Sequence, residues 1–123
     1  MTNKVLAGVR DLFFREKISE KARQIGVVVK FGTPRELETL ANAEKPSVII
    51  LDLEEDPQEY LELVRRLRAE KTGFKPKIVG YLSHVNVALR EEAHKAGCHV
   101  VFPRSTFPRE LPRILKGEFE VDY

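Results

Sequence analysis

Apolar positions along the chain follow two periods in alternation. Residues 5–9, 27–31, 47–52, 78–82 and 99–102 are short runs rich in aliphatic or β-branched side chains, with the length and composition of buried strands. Between these runs, apolar residues return every three or four positions. Phe14, Ile18, Ala22 and Ile25 form one helical stripe, stopped at Gly26. Leu37, Leu40 and Ala41 form a second, opened by Thr33 as N-cap, Pro34 at the first helical position and Glu36 as the capping-box acid. Leu61, Val64 and Leu67 mark a third, with acids from Glu54 to Glu62 ahead of Arg65, Arg66, Arg68 and Lys71, an order that complements a helix dipole. Val85, Leu89, Ala93 and Ala96 mark a fourth, closed by Gly97. A last helix is predicted through Leu115, capped by Ser105 or Thr106 and shortened or kinked by Pro112.

Five strands alternating with five helices predict βαβ crossovers and a parallel sheet, the α/β doubly wound class. In such sheets function collects at the carboxyl ends of the strands. That rule singles out Val9, Arg10 and Asp11, then Asp52 to Glu54, then Ser83 with His84, and Arg104. No internal repeat, linker or low-complexity stretch interrupts the pattern. One domain is expected, with a core over about 3–116 and a loosely held tail over 117–123.

Composition narrows the classes further. The 21 Lys+Arg and 19 Asp+Glu leave a formal charge of +2, without the clustered excess of a dedicated nucleic-acid binder. No apolar run has the length of a membrane span and no secretory leader opens the chain, so a soluble cytoplasmic protein is expected. The single cysteine, Cys98, allows no internal disulfide, and His84, His94 and His99 lack metal-ligand spacing, His94 falling on the expected exposed side of its helix. The glycines are scattered singly, so there is no dinucleotide or phosphate-loop fingerprint, and no serine sits in a nucleophile elbow. Arg104, Arg109, Arg113 and Lys116 form a basic strip that reads either as a solvated face or as a docking surface.

With these segments in place, the chain resembles a response-regulator receiver domain, the CheY-like phosphoacceptor module of two-component signalling. The resemblance covers residues 4–116 and is most specific over 46–69, PSVIILDLEEDPQEYLELVRRLRA, which follows the receiver pattern from the third strand through the third helix. Ala96–Gly97, a strand and Arg104 resemble the segment that carries the receiver lysine. The resemblance implies a flavodoxin-like (βα)5 fold with strand order 2-1-3-4-5. It places Asp52 on the phosphoacceptor position, and Ser83 and Arg104 on the two phosphoryl-contact positions. Receivers also carry two consecutive acids after the first strand, which hold Mg²⁺ with the phosphoacceptor. Those positions are here Val9 and Arg10, or Arg10 and Asp11 if the match shifts by one residue. The aromatic that reports phosphorylation in the fifth strand falls on Val101.

These departures predict an atypical receiver, or pseudo-receiver, with a degenerate acidic pocket of Val9, Arg10, Asp11 and Glu54. Mg²⁺ would bind weakly at best, because it needs several oxygen ligands in octahedral array, and Arg10 is expected to reach Asp52 where the ion's charge would lie. The function expected is a non-enzymatic signalling module that docks to a protein partner, a histidine kinase or a downstream signalling protein. The resemblance also implies a homodimer through the face of helix 4, strand 5 and helix 5. No output domain lies within the 123 residues, and no nucleic acid or membrane partner is expected. Two alternatives stand beside this reading. One is an authentic phosphoacceptor modified on Asp52; the other is a flavodoxin-like module binding a nucleotide or small anion through Ser83 and Arg104.

Overall fold

A computed structural model describes residues 4–71 and 73–119 of the chain. In chain order the elements are β1 (Lys4–Gly8), α1 (Leu12–Ile25), β2 (Val28–Phe31), α2 (Pro34–Glu44), β3 (Val48–Asp52), α3 (Pro57–Arg68), β4 (Lys77–Leu82), α4 (Val87–Ala96), β5 (Val100–Pro103) and α5 (Phe107–Leu115). The five strands form one parallel sheet in the order β2-β1-β3-β4-β5, the expected doubly wound arrangement. Every residue of β3 is buried, as its unbroken apolar run requires of a central strand covered on both faces. Ile49 and Leu51 face a layer made by α2, α3 and α4, with Leu37, Leu61, Val64 and Ala93. Val48 and Ile50 face the opposite layer of α1 and α5, with Phe14, Ile18, Phe107 and Ile114.

Local chemistry sets the helix ends. Asp11 caps α1 by accepting from the N–H of Phe13 and Phe14, and Gly26 closes it in the left-handed conformation. Thr33 and Glu36 form the capping box of α2, with Pro34 in its first turn. Three expectations need correction. Val85 precedes α4 rather than opening it, because residues 83–86 form a turn in which the Asn86 N–H donates to the Ser83 carbonyl, and the Val85 side chain is exposed. His94 is half-buried, not solvent-facing. The segment after α5 is docked as far as Phe119: Lys77 Nζ donates to the Gly117 carbonyl at 2.7 Å and lies over the Phe119 ring. The rest of the expected tail, residues 120–123, lies outside the described residues. Pro112 is accommodated inside α5, which continues to Leu115.

Close packing at the centre leaves no room at Gly80. A Cβ there would stand 2.5 Å from Leu53 Cδ1 and 2.9 Å from its Cγ, and Leu53 is fully buried. Gly80→Ala is therefore expected to lower stability by about 1–3 kcal/mol, the usual cost of overpacking a core, as read by urea denaturation.

Candidate functional site

The strand register brings the ends of β1, β3, β4 and β5 to one edge of the sheet, with Gly8 beside Leu51, Asp52 beside Tyr81 and Leu82 beside Pro103. Asp52 ends β3 there and is only 1% exposed, the one buried charged residue among those described. Arg104 follows β5, its N–H donating to the Leu82 carbonyl so that the ladder extends one residue further. Its Nη2 donates to Asp52 Oδ1 at 3.3 Å and Oδ2 at 3.4 Å, and to Glu54 Oε1 at 3.4 Å. The guanidinium lies over the rings of Phe14 and Tyr81, which supply an apolar, cation-attracting floor.

Glu54 is held from several sides. It accepts from the Ser83 N–H at 2.9 Å, the Asn86 side-chain amide at 3.2 Å and Arg104. Burial by itself would raise the Glu54 carboxyl, but these donors outweigh it and hold the group below its ordinary value. Glu55 turns the other way, over the end of β1. Its Oε2 accepts from the backbone N–H of Arg10 at 2.6 Å and of Asp11 at 3.2 Å, and the Arg10 guanidinium donates to its carbonyl at 3.0 Å. Glu55 Oε1 and the Tyr81 hydroxyl are buried without a formed hydrogen bond, and both adjoin Asp52. Burial first, and the Glu55 charge second, raise the Asp52 carboxyl from 3.8 to about 6 against the pull of Arg104. Two neighbouring carboxyl groups can hydrogen-bond to each other only when one of them carries a proton, so a bond between Asp52 and Glu55 belongs to the acidic side of this range.

Asp52, Glu54, Arg104 and the backbone of Ser83 thus come together; the other positions singled out do not. Val9 is fully buried in the α1–α5 layer. Asp11 is spent on the α1 cap. Arg10 reaches Glu55 rather than Asp52, which corrects the expectation of an Arg10–Asp52 pair: Glu55 intercepts the guanidinium, and Arg104 already occupies both Asp52 oxygens. His84 is exposed, and Val101 is buried beneath α4. In the basic strip Arg104 turns into the pocket and Arg113 pairs with Glu110 at 3.3 Å. Cys98 is buried, and that burial pushes its thiol up to about 12, far from a nucleophile's range. Sequence reasoning missed Glu55 and Tyr81. Glu55 sits in an acidic run that reads as the start of α3, and Tyr81 in a strand that reads as core.

The arrangement does not fit Mg²⁺. That ion needs oxygen ligands converging in near-octahedral geometry. Val9 and Arg10 offer no carboxylate, Asp11 is turned to its helix, and a guanidinium lies on both oxygens of Asp52. Among the described residues no group of three His, Cys, Asp or Glu is placed to hold a metal.

No protein-family model matches the sequence, and no curated protein matches it. Solved structures do match, across nearly the whole chain. The chemotaxis response regulator CheY4 of Vibrio cholerae superposes with a TM-score of 0.80 at 20% identity, over 97% of this chain and 100% of that one. A response regulator from Thermotoga maritima gives 0.74 at 21%, over 96% and 98%. The receiver domain of a sensor histidine kinase from Pseudomonas aeruginosa, with a magnesium ion in its active-site cleft, gives 0.75 at 16%, over 94% and 99%. The fold is that of response-regulator receiver domains, the CheY-like branch of the flavodoxin-like architecture.

Proposed function

We propose that this chain is a receiver-like module of two-component signalling that works by docking to another protein, with Mg²⁺-dependent phosphorylation of Asp52 impaired or absent. The observation that carries this reading is the Arg104 guanidinium on both oxygens of Asp52, at strand ends where Arg10, with Val9 before it or Asp11 after it, stands at the positions of two acids. Phosphoryl transfer to a carboxylate needs its developing charge neutralised, a task that Mg²⁺ usually performs. In this reading the Arg104 cation lies on the acceptor and at least one of the two metal-holding acids is missing from the end of β1. Docking is supported by exposed apolar side chains on the same edge of the sheet: Leu12 and Phe13 at the start of α1, Val85 in the turn before α4 and Val87 at its start. Such side chains grouped around a polar centre mark protein contact. The partner in this reading is a histidine kinase or a downstream signalling protein, and self-association uses the α4–β5–α5 face.

One observation favours the second reading, an authentic phosphoacceptor: Glu55 restores a second carboxylate beside Asp52. Incubation with acetyl phosphate and Mg²⁺ followed by intact-mass spectrometry separates the two. The unmodified mass is expected; a phosphoryl adduct that vanishes in Asp52→Asn establishes the second reading instead.

A further inference from the structure

On the far side of β1 from Asp52, the ends of β1 and β2 and the first turns of α2 and α3 enclose a cavity of about 270 Å³. Its lining includes Arg10, Arg15, Phe31, Glu36, Asp56 and Tyr60. Tyr60 is 2% exposed and faces this space, and its hydroxyl makes no hydrogen bond among the described residues. Its position is specifically accommodated: a Cβ on Gly8 would lie 2.7 Å from the Tyr60 hydroxyl, so the ring crosses β1 only because residue 8 is glycine. A buried phenol normally finds a partner, and an unpartnered one aimed into a cavity asks for a ligand atom.

The charges around it point to the kind of atom. Arg15 lies over the Phe31 ring, its centre 4.9 Å from the ring centroid, and donates through Nε to the Val9 carbonyl; among the described residues no carboxylate pairs with it. That leaves its terminal nitrogens for a ligand. Arg10 stands at the same mouth, using one terminal nitrogen on the Glu55 carbonyl. The 11-residue α2 begins here at its Thr33 cap, where Glu36 closes the capping box and offsets the positive end of the dipole, so the two guanidinium groups are the cationic part of the lining. Asp56 opens α3 with no side-chain capping bond, which leaves a carboxylate free to accept.

We propose that this cavity binds a small phosphate monoester bearing hydroxyl groups, a molecule of the sugar-phosphate class. Two guanidinium groups and a phenol offer more donors than a carboxylate can use, and they suit the three terminal oxygens of a phosphoryl dianion. Asp56 and Glu36 would repel that dianion unless hydroxyls of the same ligand donated to them, which favours the ester over inorganic phosphate. The volume falls just below the usual range of small-molecule pockets and is too small for a dinucleotide. Because Arg10 also holds Glu55, an occupant that draws on Arg10 adjusts the neighbouring Asp52 pocket.

Thermal melts and ¹H–¹⁵N spectra with ribose 5-phosphate, inorganic phosphate and ribose at millimolar concentration test the proposal. Ribose 5-phosphate is expected to raise the melting temperature by mass action and to shift amides of residues 31–36 and 56–60, inorganic phosphate to do so more weakly, and ribose not at all. Tyr60→Phe, which keeps the ring, is expected to weaken binding about tenfold, the loss of one hydrogen bond to a charged group. Arg15→Gln should weaken it further. The proposal is overturned if neither phosphate binds, if both variants bind as wild type does, or if the shifted amides centre on residues 83–86 and 104.

Discussion

Asp52→Asn is expected to make the protein more stable at pH 8, by about 1–3 kcal/mol, and to leave it little changed at pH 4. The Asp52 carboxyl is raised from 3.8 to about 6 because it is buried beside Glu55. A folded-state value above the unfolded one means that folding favours the protonated form. That contribution is complete below about pH 4 and is lost as the pH rises through about 6, so on account of this group wild-type stability falls across that window. A shift of roughly two pH units corresponds to about 3 kcal/mol. Replacing the charged acceptor by a neutral amide oxygen weakens the bonds from Arg104 and from the Glu54 N–H, which reduces the gain in the variant. Glu36 and Glu44 are held low by hydrogen bonds from Thr33 and Lys30 respectively, and they change stability in the opposite sense at lower pH. Their effect is common to both proteins, so the difference between the two urea-denaturation curves isolates Asp52. A variant less stable than wild type at pH 8 would mean that the Arg104 pair outweighs burial.

Removing the cation is expected to do the reverse, and more strongly. Arg104→Gln leaves Asp52, Glu54 and Glu55 together without the guanidinium that lies on two of them. Breaking a buried pair strands the remaining charge and costs several kcal/mol. Since the Arg104 side chain is 37% exposed, about 2–3 kcal/mol is expected at pH 8. The loss should shrink at pH 5, where Asp52 takes up a proton, and urea denaturation at the two values checks the difference. Arg104→Lys is expected to recover part of it. An ammonium group restores the charge, but not the planar contact with Phe14 and Tyr81.

The elements legible from sequence were those whose signal is local. The Thr33–Pro34–Glu36 box, the Gly26 stop and the run ending at Asp52 each state their structure within a few residues; the alternation of periods carried the parallel α/β class, and the strand order came with the receiver resemblance. What escaped depends on where side chains turn once the sheet is assembled. Glu54 and Glu55 are neighbours in one acidic run, yet Glu54 reaches across to Ser83 and Arg104, whereas Glu55 bends back over β1 to Arg10 and Asp11. Nothing in the spacing distinguishes them. Arg10 and Arg104 are likewise both arginines at strand ends, and only the packing of Phe14, Tyr81 and Phe107 beneath Arg104 directs it to Asp52. Tyr60 reads as one more apolar position of α3, and its hydroxyl gains meaning only from Gly8, 52 residues earlier.

The central claim is that the end of β1 supplies no acid to the Asp52 pocket and that Arg10 keeps Glu55 from serving as one, so that no Mg²⁺ site forms. Calorimetric titration of Mg²⁺ into wild type and into Arg10→Asp, each with and without beryllofluoride, tests it most directly. Arg10→Asp restores an acid at the end of β1 and removes the guanidinium that holds Glu55. The account predicts no binding heat for wild type at millimolar Mg²⁺ in either condition, and measurable affinity in the variant. Wild type that binds Mg²⁺ below millimolar concentration, tightened by beryllofluoride and not improved by Arg10→Asp, would contradict it.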